Sequence, residues 1–247
     1  KYLEETIKNV LAQTYQNIEY IIIDGGSTDG TIDIIKKYED ELAYWISEQD
    51  NGMYDGINKG FEKATGDIFA YINADDLYYD ENVVRHIVNM FDENKSLSLV
   101  FGNIEFIDEK SKHLYFYKSL ALPRYLIQFL QRVPFAQQTA FWNAKVYREL
   151  KGFDISLKYV ADSKFFFSIL FNKKYKYKKI NEYIAKFRWH SEGFSSAQKE
   201  MMNLESINMK KELSYFKNSL IMKTLVELFI KLYNLKNIII KKLLNES

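Results

Sequence analysis

The chain of 247 residues contains no cysteine, two prolines and three histidines. The lack of cysteine excludes disulfides, zinc–thiolate sites and thiol nucleophiles, and it is typical of a reducing compartment. No apolar run approaches the ~18 residues that a membrane-spanning helix needs. The polar first residues, Lys1 to Glu5, differ from the apolar core of a signal peptide. These absences predict a cytoplasmic protein.

The sequence also lacks an excess of positive or negative charge. The 34 basic residues nearly balance the 33 acidic ones, for a formal net charge of +1. No overall field therefore draws the chain to nucleic acid, and we expect no nucleic-acid partner. Hydrophobic residues make up 47% of the chain, enough for one substantial core or for one core with a helical appendage.

Helical and strand-like patterns alternate along the first hundred residues. Apolar runs at 18–23, 68–72 and 97–101 are typical of buried strands, and segments of helical periodicity lie between them. This alternation predicts an α/β fold with a mainly parallel sheet covered by helices.

The pattern changes after residue 103. Residues 103–107 and 114–117 flank a polar turn, which predicts a small antiparallel hairpin. Beyond Gln198 the chain is helical in pattern, and between 219 and 244 apolar residues recur at helical spacing among lysines. Such a helix either lies on a membrane surface or packs on the domain or on a second subunit, and the packing interpretation is favoured.

Two of the buried strands end in polar loops, Asp24-Gly25-Gly26-Ser27 and Asn73-Ala74-Asp75-Asp76. In an open α/β sheet, ligands bind beyond the carboxyl ends of strands, so these side chains should face a crevice. Asp24 can accept hydrogen bonds from a nucleotide base or ribose, while the two glycines let the backbone approach closely, which makes Gly26 and Ser27 candidate nucleotide contacts. Alternatively, Asp24 and Ser27 cap the next helix, as we expect of Asp29.

Together these loops resemble the family 2 glycosyltransferases, whose fold is called GT-A. Residues 73–76 are similar to the family's Asp-X-Asp metal motif, with Asn73 at the first position. The resemblance implies a nucleotide-sugar donor and a Mn²⁺ or Mg²⁺ cofactor, with Asp75 as ligand and Asn73 on a ribose hydroxyl. Asp76 would bind the metal through water or orient the loop.

The stretch from Ser47 to Gly60 looks like a branch of the same family with a Ser-Glu-X-Asp-X-Gly-X-Tyr-Asp pattern. Its helix start and backbone amides could meet the donor's phosphates or sugar, with Asp50, Asn58 and Lys59 as candidate contacts. An ordinary turn at Asp50 and a surface role for Lys59 are equally favoured by the residues alone.

Asp162 is the candidate catalytic base. Residues 159–166 resemble the family segment that supplies a base at a helix start after a Gly-Phe-Asp turn, here Gly152-Phe153-Asp154. The base would take the proton of an acceptor hydroxyl. Asp162 could also serve as the helix N-cap, and Ala161 stands where relatives often have an acidic residue.

His190 lies in a segment similar to the family's Arg-X-His loop near the diphosphate. The resemblance implies that His190 ligates the metal and that Arg188 pairs with phosphate. An exposed histidine without such a role is the alternative. Gln138 belongs to a segment that resembles an acceptor-side loop, in which Gln137 replaces the usual histidine.

The resemblance covers residues 1–196 and predicts a GT-A domain at 1–197, without the family's first strand. It does not explain the helical pattern that follows, from which we expect a helical extension at 198–247. It implies an inverting glycosyltransferase acting on a UDP-sugar and a saccharide or lipid-linked saccharide in bacterial surface-polysaccharide biosynthesis. Peripheral membrane contact or a homodimer would involve the C-terminal helices. A non-catalytic nucleotide-sugar-binding protein is the alternative, whereas a nucleotidyltransferase would need a glycine-rich phosphate loop.

Overall fold

The computed structural model describes residues 1–191 and 193–212, so the predicted amphipathic segment 219–244 lies outside the described residues. No helix in this part of the chain is long and apolar enough to cross a membrane. The helices are α1 Leu3–Leu11, α2 Thr31–Lys36, α3 Met53–Lys63, α4 Val83–Glu93, α5 Arg124–Leu130, α6 Ala144–Leu150, α7 Ala161–Phe171, α8 Phe194–Ala197 and α9 Lys199–Glu212.

Strands form two sheets. Their bounds are β1 Ile21–Asp24, β2 Tyr44–Ser47, β3 Ile68–Phe69, β4 Leu77–Tyr78, β5 Leu97–Ile107, β6 His113–Tyr117, β7 Ala140–Asn143 and β8 Lys176–Arg188. β1 and β2 pair with each other, and the remaining strands are ordered β3-β7-β5-β8-β4, with β6 on the outer part of β5. The predicted hairpin at 103–117 is confirmed as the antiparallel pair β5 and β6.

The α/β class with flanking helices is confirmed, but the strand directions are mixed. Among residues 1–191 and 193–212, only β1 with β2 and β5 with β8 pair in parallel. The other pairs are antiparallel: β7 lies between β3 and β5 and runs against both, β4 runs against β8, and β6 runs against β5. Alternation of strands and helices predicts parallel pairing only between strands that follow each other in the sequence. In the large sheet, most strands pair instead with strands that are distant in the sequence.

The main core lies between the large sheet and the helices α3, α6 and α7. Trp142 of β7 is fully buried, and the rings of Phe153, Phe165 and Phe166 contact it at centroid distances of 5.5–6.2 Å. Aromatic side chains bury large areas, so this cluster fixes α7 against the sheet. Ala161, at the start of α7, belongs to the same buried cluster.

A cleft of about 990 Å³ separates the two sheets. It lies between β1 and β3, is lined by the apolar side chains of both strands and by α1, α3 and α4, and has Asp50 and Asn73 at its wall. No backbone hydrogen bond joins β1 to β3 among the described residues.

The last described helix, α9, packs on the domain. Met209 is 2% exposed and belongs to the main core, and the Gln131 side chain donates to the carbonyl of Lys210 at 3.1 Å. The first part of the predicted extension at 198–247 is therefore in contact with the domain at 1–197.

Candidate active site

The loop after β1 is organised by the Asp24 carboxylate. Asp24 is 7% exposed and accepts hydrogen bonds from the amides of Gly26 and Ser27 and from the hydroxyls of Ser27 and Ser47, at 2.5–3.1 Å. Burial raises the pKa of Asp24, but these hydrogen bonds together lower it by more, so the net pKa lies below the ordinary value. Asp24 is thus held ionised and shapes the loop, while Asp29 accepts from the Thr31 amide at the start of α2.

Two glycines bring this loop close to the segment 48–50. A Cβ on Gly25 would lie 2.8 Å from Asp50 Oδ2, so a larger residue there would require the Asp50 side chain to move. Gly26 has φ +87°, a conformation that glycine adopts without strain. Asp50 Oδ1 accepts from the Gly52 amide at 2.8 Å, so the predicted turn at Asp50 is present at the wall of the cleft.

Asn58 and Lys59 are engaged within the protein. The Asn58 amide donates to the carbonyl of Phe153 at 2.8 Å and accepts from the Phe153 amide and the Tyr147 hydroxyl, so it fastens α3 to the turn at 152–154. Lys59 pairs with Glu48 at 2.8 Å and lies 3.6 Å from Asp55. Asn58 therefore stabilises the packing of α3 on this turn, and Lys59 forms a surface ion pair. Neither side chain is free to bind a nucleotide in this arrangement.

Asp76 holds the second strand-end loop together. It is fully buried; Oδ2 accepts from the side-chain amides of Asn73 and Gln138, and Oδ1 accepts from the backbone amide of Arg188. Burial, followed by the charge of Asp75, raises the pKa of Asp76 to about 7, although the three hydrogen bonds act in the opposite direction. Of the two predicted roles for Asp76, the geometry fits orientation of the loop, and Asn73 and Gln138 share in it.

The Arg188 guanidinium points into the protein. It is 1% exposed and donates to the carbonyls of Asp75 and Asp108, to the Ser111 hydroxyl and to Glu5 Oε2 at 2.7 Å. Its carbon lies 4.4 Å from the ring centroid of Tyr2. All three nitrogens therefore have protein partners, and the predicted phosphate pairing by Arg188 does not match this placement.

Asp75 and His190 come together, as the resemblance implies. His190 Nε2 lies 2.9 Å from Asp75 Oδ2, and the two side chains are 9% and 30% exposed. No group of three or more acidic or histidine side chains within 1–191 and 193–212 could hold a metal ion. One carboxylate and one imidazole nevertheless suit Mn²⁺ when substrate phosphates and water complete the ligand set, whereas Mg²⁺ would use the carboxylate and oxygen ligands alone.

Asp162 occupies the second position of α7. Its Oδ1 accepts from the Tyr54 hydroxyl at 3.0 Å and the Ser163 amide at 2.6 Å, and Oδ2 has no hydrogen-bond partner in the described part of the chain. Burial raises the pKa of Asp162, with opposing contributions from the Ser163 and Tyr54 hydrogen bonds. A half-buried carboxylate with one free oxygen and a raised pKa can act as a general base.

The sequence reasoning missed three side chains near these groups. Tyr54 contacts Asp162 directly, and its place in the Ser47–Gly60 stretch was the available signal. Glu5 pairs with Arg188, and Glu205 accepts hydrogen bonds from the loop before α7. Neither glutamate lies in a motif, so only the fold reveals them.

Comparison with known proteins places these features in a family. The family model described as "Glycosyl transferase family 2" matches residues 1–154. An uncharacterized glycosyltransferase of Rickettsia typhi is 33% identical over 177 residues, covering 68% of this chain and 54% of the relative. One of Mycobacterium tuberculosis is 32% identical over 167 residues, covering 66% of this chain and 62% of the relative. The chain thus spans little more than half the length of these relatives.

Solved structures show the same fold. S. aureus TarS 1–349 in complex with UDP-GlcNAc aligns over 83% of this chain and 62% of its own, with a TM-score of 0.58 and 15% identity. The mannosyltransferase PcManGT from Pyrobaculum calidifontis, in complex with GDP-Man and Mn²⁺, aligns over 94% of this chain and 76% of its own, with a TM-score of 0.58 and 15% identity. The fold expected from the sequence, GT-A, is confirmed.

Proposed function

Because this chain belongs to glycosyl transferase family 2, we propose that it transfers a sugar from a UDP-sugar to a saccharide or lipid-linked saccharide with inversion at the anomeric carbon. Bacterial cell-surface polysaccharide assembly, on the cytoplasmic side of the membrane, is the proposed setting. The observation that carries the proposal is the Asp162 carboxylate, which has Oδ1 fixed by Tyr54 and Ser163 and Oδ2 free to accept a proton.

Asp162 is the proposed base. Its Oδ2 takes the proton of the acceptor hydroxyl while the hydroxyl oxygen bonds to the anomeric carbon. The bond from that carbon to the diphosphate oxygen breaks on the opposite face, and UDP leaves with the electron pair. The raised pKa of Asp162 improves its match to a proton acceptor that works near neutral pH.

The donor is proposed to bind across the two strand-end loops. Asp24, Gly26 and Ser27 would contact the nucleotide from the loop that Asp24 organises, and Asp50 and Asn73 lie at the wall of the cleft between β1 and β3. Asp75 and His190 would hold a divalent metal ion. Such an ion, when bound, supplies positive charge that offsets the charge of the departing diphosphate.

Measurement of UDP release tests this proposal. The chain is incubated with a saccharide acceptor mixture, Mn²⁺ and each of UDP-glucose, UDP-galactose and UDP-N-acetylglucosamine. Loss of a general base usually lowers turnover by ~10²–10⁴, so Asp162→Asn should fall by at least about 100-fold. Asp33→Asn, an exposed change on α2, is the matched control.

Two outcomes would contradict the proposal. Turnover that Asp162→Asn leaves unchanged would remove Asp162 as the base. Binding of UDP-sugars without turnover by the wild type would instead favour a non-catalytic nucleotide-sugar-binding protein on the same fold.

A further inference from the structure

Helix α7 carries the proposed base, and within its first turn Asp162 accepts from the Ser163 amide only. Val160, the N-cap residue, offers no side-chain hydrogen bond. The first N–H groups of a helix and those just before it need acceptors, which usually come from a nearby side chain or water. The acceptor for this segment must therefore come from elsewhere in the fold.

Glu205 of α9 supplies it. Its carboxylate accepts from three consecutive backbone amides, those of Lys158 at 2.8 Å, Tyr159 at 2.6 Å and Val160 at 3.0 Å. One carboxylate thus satisfies the whole loop that leads into α7. A negative charge at this place is also favourable for the helix dipole.

The opposite end of α7 is held in a complementary way. The Arg124 guanidinium donates to the carbonyls of Ile169, Leu170 and Asn172 at 2.6–3.2 Å, and also to that of Tyr175. A cation at the carboxyl end and an anion at the amino end match the dipole at both termini. Tertiary contacts therefore fix the axial position of α7.

The loop held by Glu205 also contacts the group that orients Asp162. The Tyr54 hydroxyl lies 3.0 Å from Asp162 Oδ1 and 3.2 Å from the carbonyl of Tyr159, one of the three residues whose amides Glu205 accepts. The Tyr159 ring stacks on Phe194, with centroids 5.7 Å apart, so the chain leading into α9 touches the same loop. A shift of this loop would move both α7 and the hydroxyl that Asp162 accepts from.

We propose that Glu205 is a positioning residue, which fixes the loop 158–160 and thereby the carboxylate of Asp162 for proton abstraction. The inference rests on the proposed function, because it assigns Glu205 a role in the same transfer. Glu205 does not touch the reacting atoms. Its loss should therefore lower kcat while leaving donor binding nearly unchanged.

Kinetics and hydrogen exchange on the full chain test this role. The variants are Glu205→Ala and Glu205→Gln, which keeps the side-chain shape but not its charge. Glu200→Gln is the matched control, since it makes the same change at an exposed position of the same helix. We expect Glu205→Ala to lower kcat by roughly 10- to 100-fold, the size of effect that misplaced catalytic groups produce. Glu205→Gln should fall between Glu205→Ala and the control.

Two readouts separate positioning from a merely structural role. Amide exchange at residues 158–160 should become at least ten-fold faster in Glu205→Ala, and the pH at which kcat/KM reaches half its maximum should shift. UDP affinity, measured by calorimetry, should stay within two-fold of the wild type. Glu205→Gln, with its milder change, provides the same readouts if Glu205→Ala fails to fold.

Each contrary result has a distinct meaning. Faster exchange with unchanged kcat and an unchanged pH profile would show that the contact is structural only, and it would overturn the proposal. Unchanged amide exchange at residues 158–160 would also overturn the proposal. A wild type that turns over no donor would contradict the proposed function, and the positioning role would fall with it even if the exchange data showed the contact.

Discussion

His190 Nε2 lies 2.9 Å from Asp75 Oδ2, although 115 residues separate the two in the chain. Antiparallel pairing of β4 with β8 explains the approach, since Leu77 lies opposite Lys186. Continuing that register by two residues brings Asp75 opposite Arg188, whose guanidinium donates to the Asp75 carbonyl. The loops that carry Asp75 and His190 therefore meet because two strands pair.

The first prediction concerns metal affinity. His190→Ala removes the nitrogen that faces Asp75, so Mn²⁺ should bind at least about ten-fold more weakly in the presence of UDP. Electron paramagnetic resonance of free Mn²⁺ during a titration measures this affinity. His86→Ala is the control, because His86 lies on α4 in a half-exposed pair with Glu182. Equal Mn²⁺ affinity in the His190 variant and the wild type would remove His190 from the metal site.

The second prediction concerns pH. Burial raises the pKa of Asp162, and the Tyr54 hydroxyl partly lowers it. A base acts only when ionised, so kcat/KM should rise with pH through this raised pKa. Tyr54→Phe removes the lowering contribution, and the rise should move to higher pH.

A pH–rate profile of Tyr54→Phe beside the wild type checks this shift. Tyr125→Phe is the matched control, because Tyr125 is 64% exposed. A rise that stays in place, or moves to lower pH, would show that Tyr54 does not stabilise the ionised form of Asp162.

The third prediction is that Asp76→Asn destabilises the fold, although asparagine and aspartate have side chains of equal size. Both oxygens of Asp76 accept from donors, so the amide NH₂ of asparagine would face a donor in either orientation. Leaving buried donors unpaired costs about 1–3 kcal/mol each, so the free energy of unfolding should fall by roughly 2–4 kcal/mol. Urea denaturation measures it, with the exposed Asp33→Asn as control; a loss no larger than that of the control would contradict the assignment.

The fourth prediction separates two roles for Asn58. Its side chain makes three hydrogen bonds to Phe153 and Tyr147, so Asn58→Ala should lower the free energy of unfolding by about 2–3 kcal/mol. UDP affinity of the folded variant should match that of the wild type. Denaturation and calorimetry are compared with Asn203→Ala, an exposed change on α9. A large loss of UDP affinity at unchanged stability would restore the nucleotide role expected from the sequence.

Sequence periodicity located one of the two strand ends expected at the site, since β1 ends at Asp24, whereas β3 is shorter than the expected strand 68–72 and ends at Phe69, four residues before Asn73. Asp24, Asp75 and Asp76 came from the residues, and the proximity of Asp75 and His190 came from the family resemblance. Strand direction could not be read, because β7 pairs with strands far from it in sequence.

The direction in which a side chain points could also not be predicted from the sequence. Arg188 was expected at a phosphate, yet its partners Glu5, Asp108 and Ser111 lie in distant segments and draw it inward. The role of Glu205 could not be predicted from the sequence for a related reason. Its partners are backbone amides, which leave no pattern in the sequence.

Titration calorimetry with UDP and GDP, each with and without Mn²⁺, tests the central claim most directly. The wild type and Asp75→Ala are compared, with Mn²⁺ alone as the nucleotide-free control. We predict UDP binding by the wild type that depends on Mn²⁺, exceeds GDP binding and is lost in Asp75→Ala. Absence of nucleotide binding by the folded chain, with or without Mn²⁺, would contradict the account.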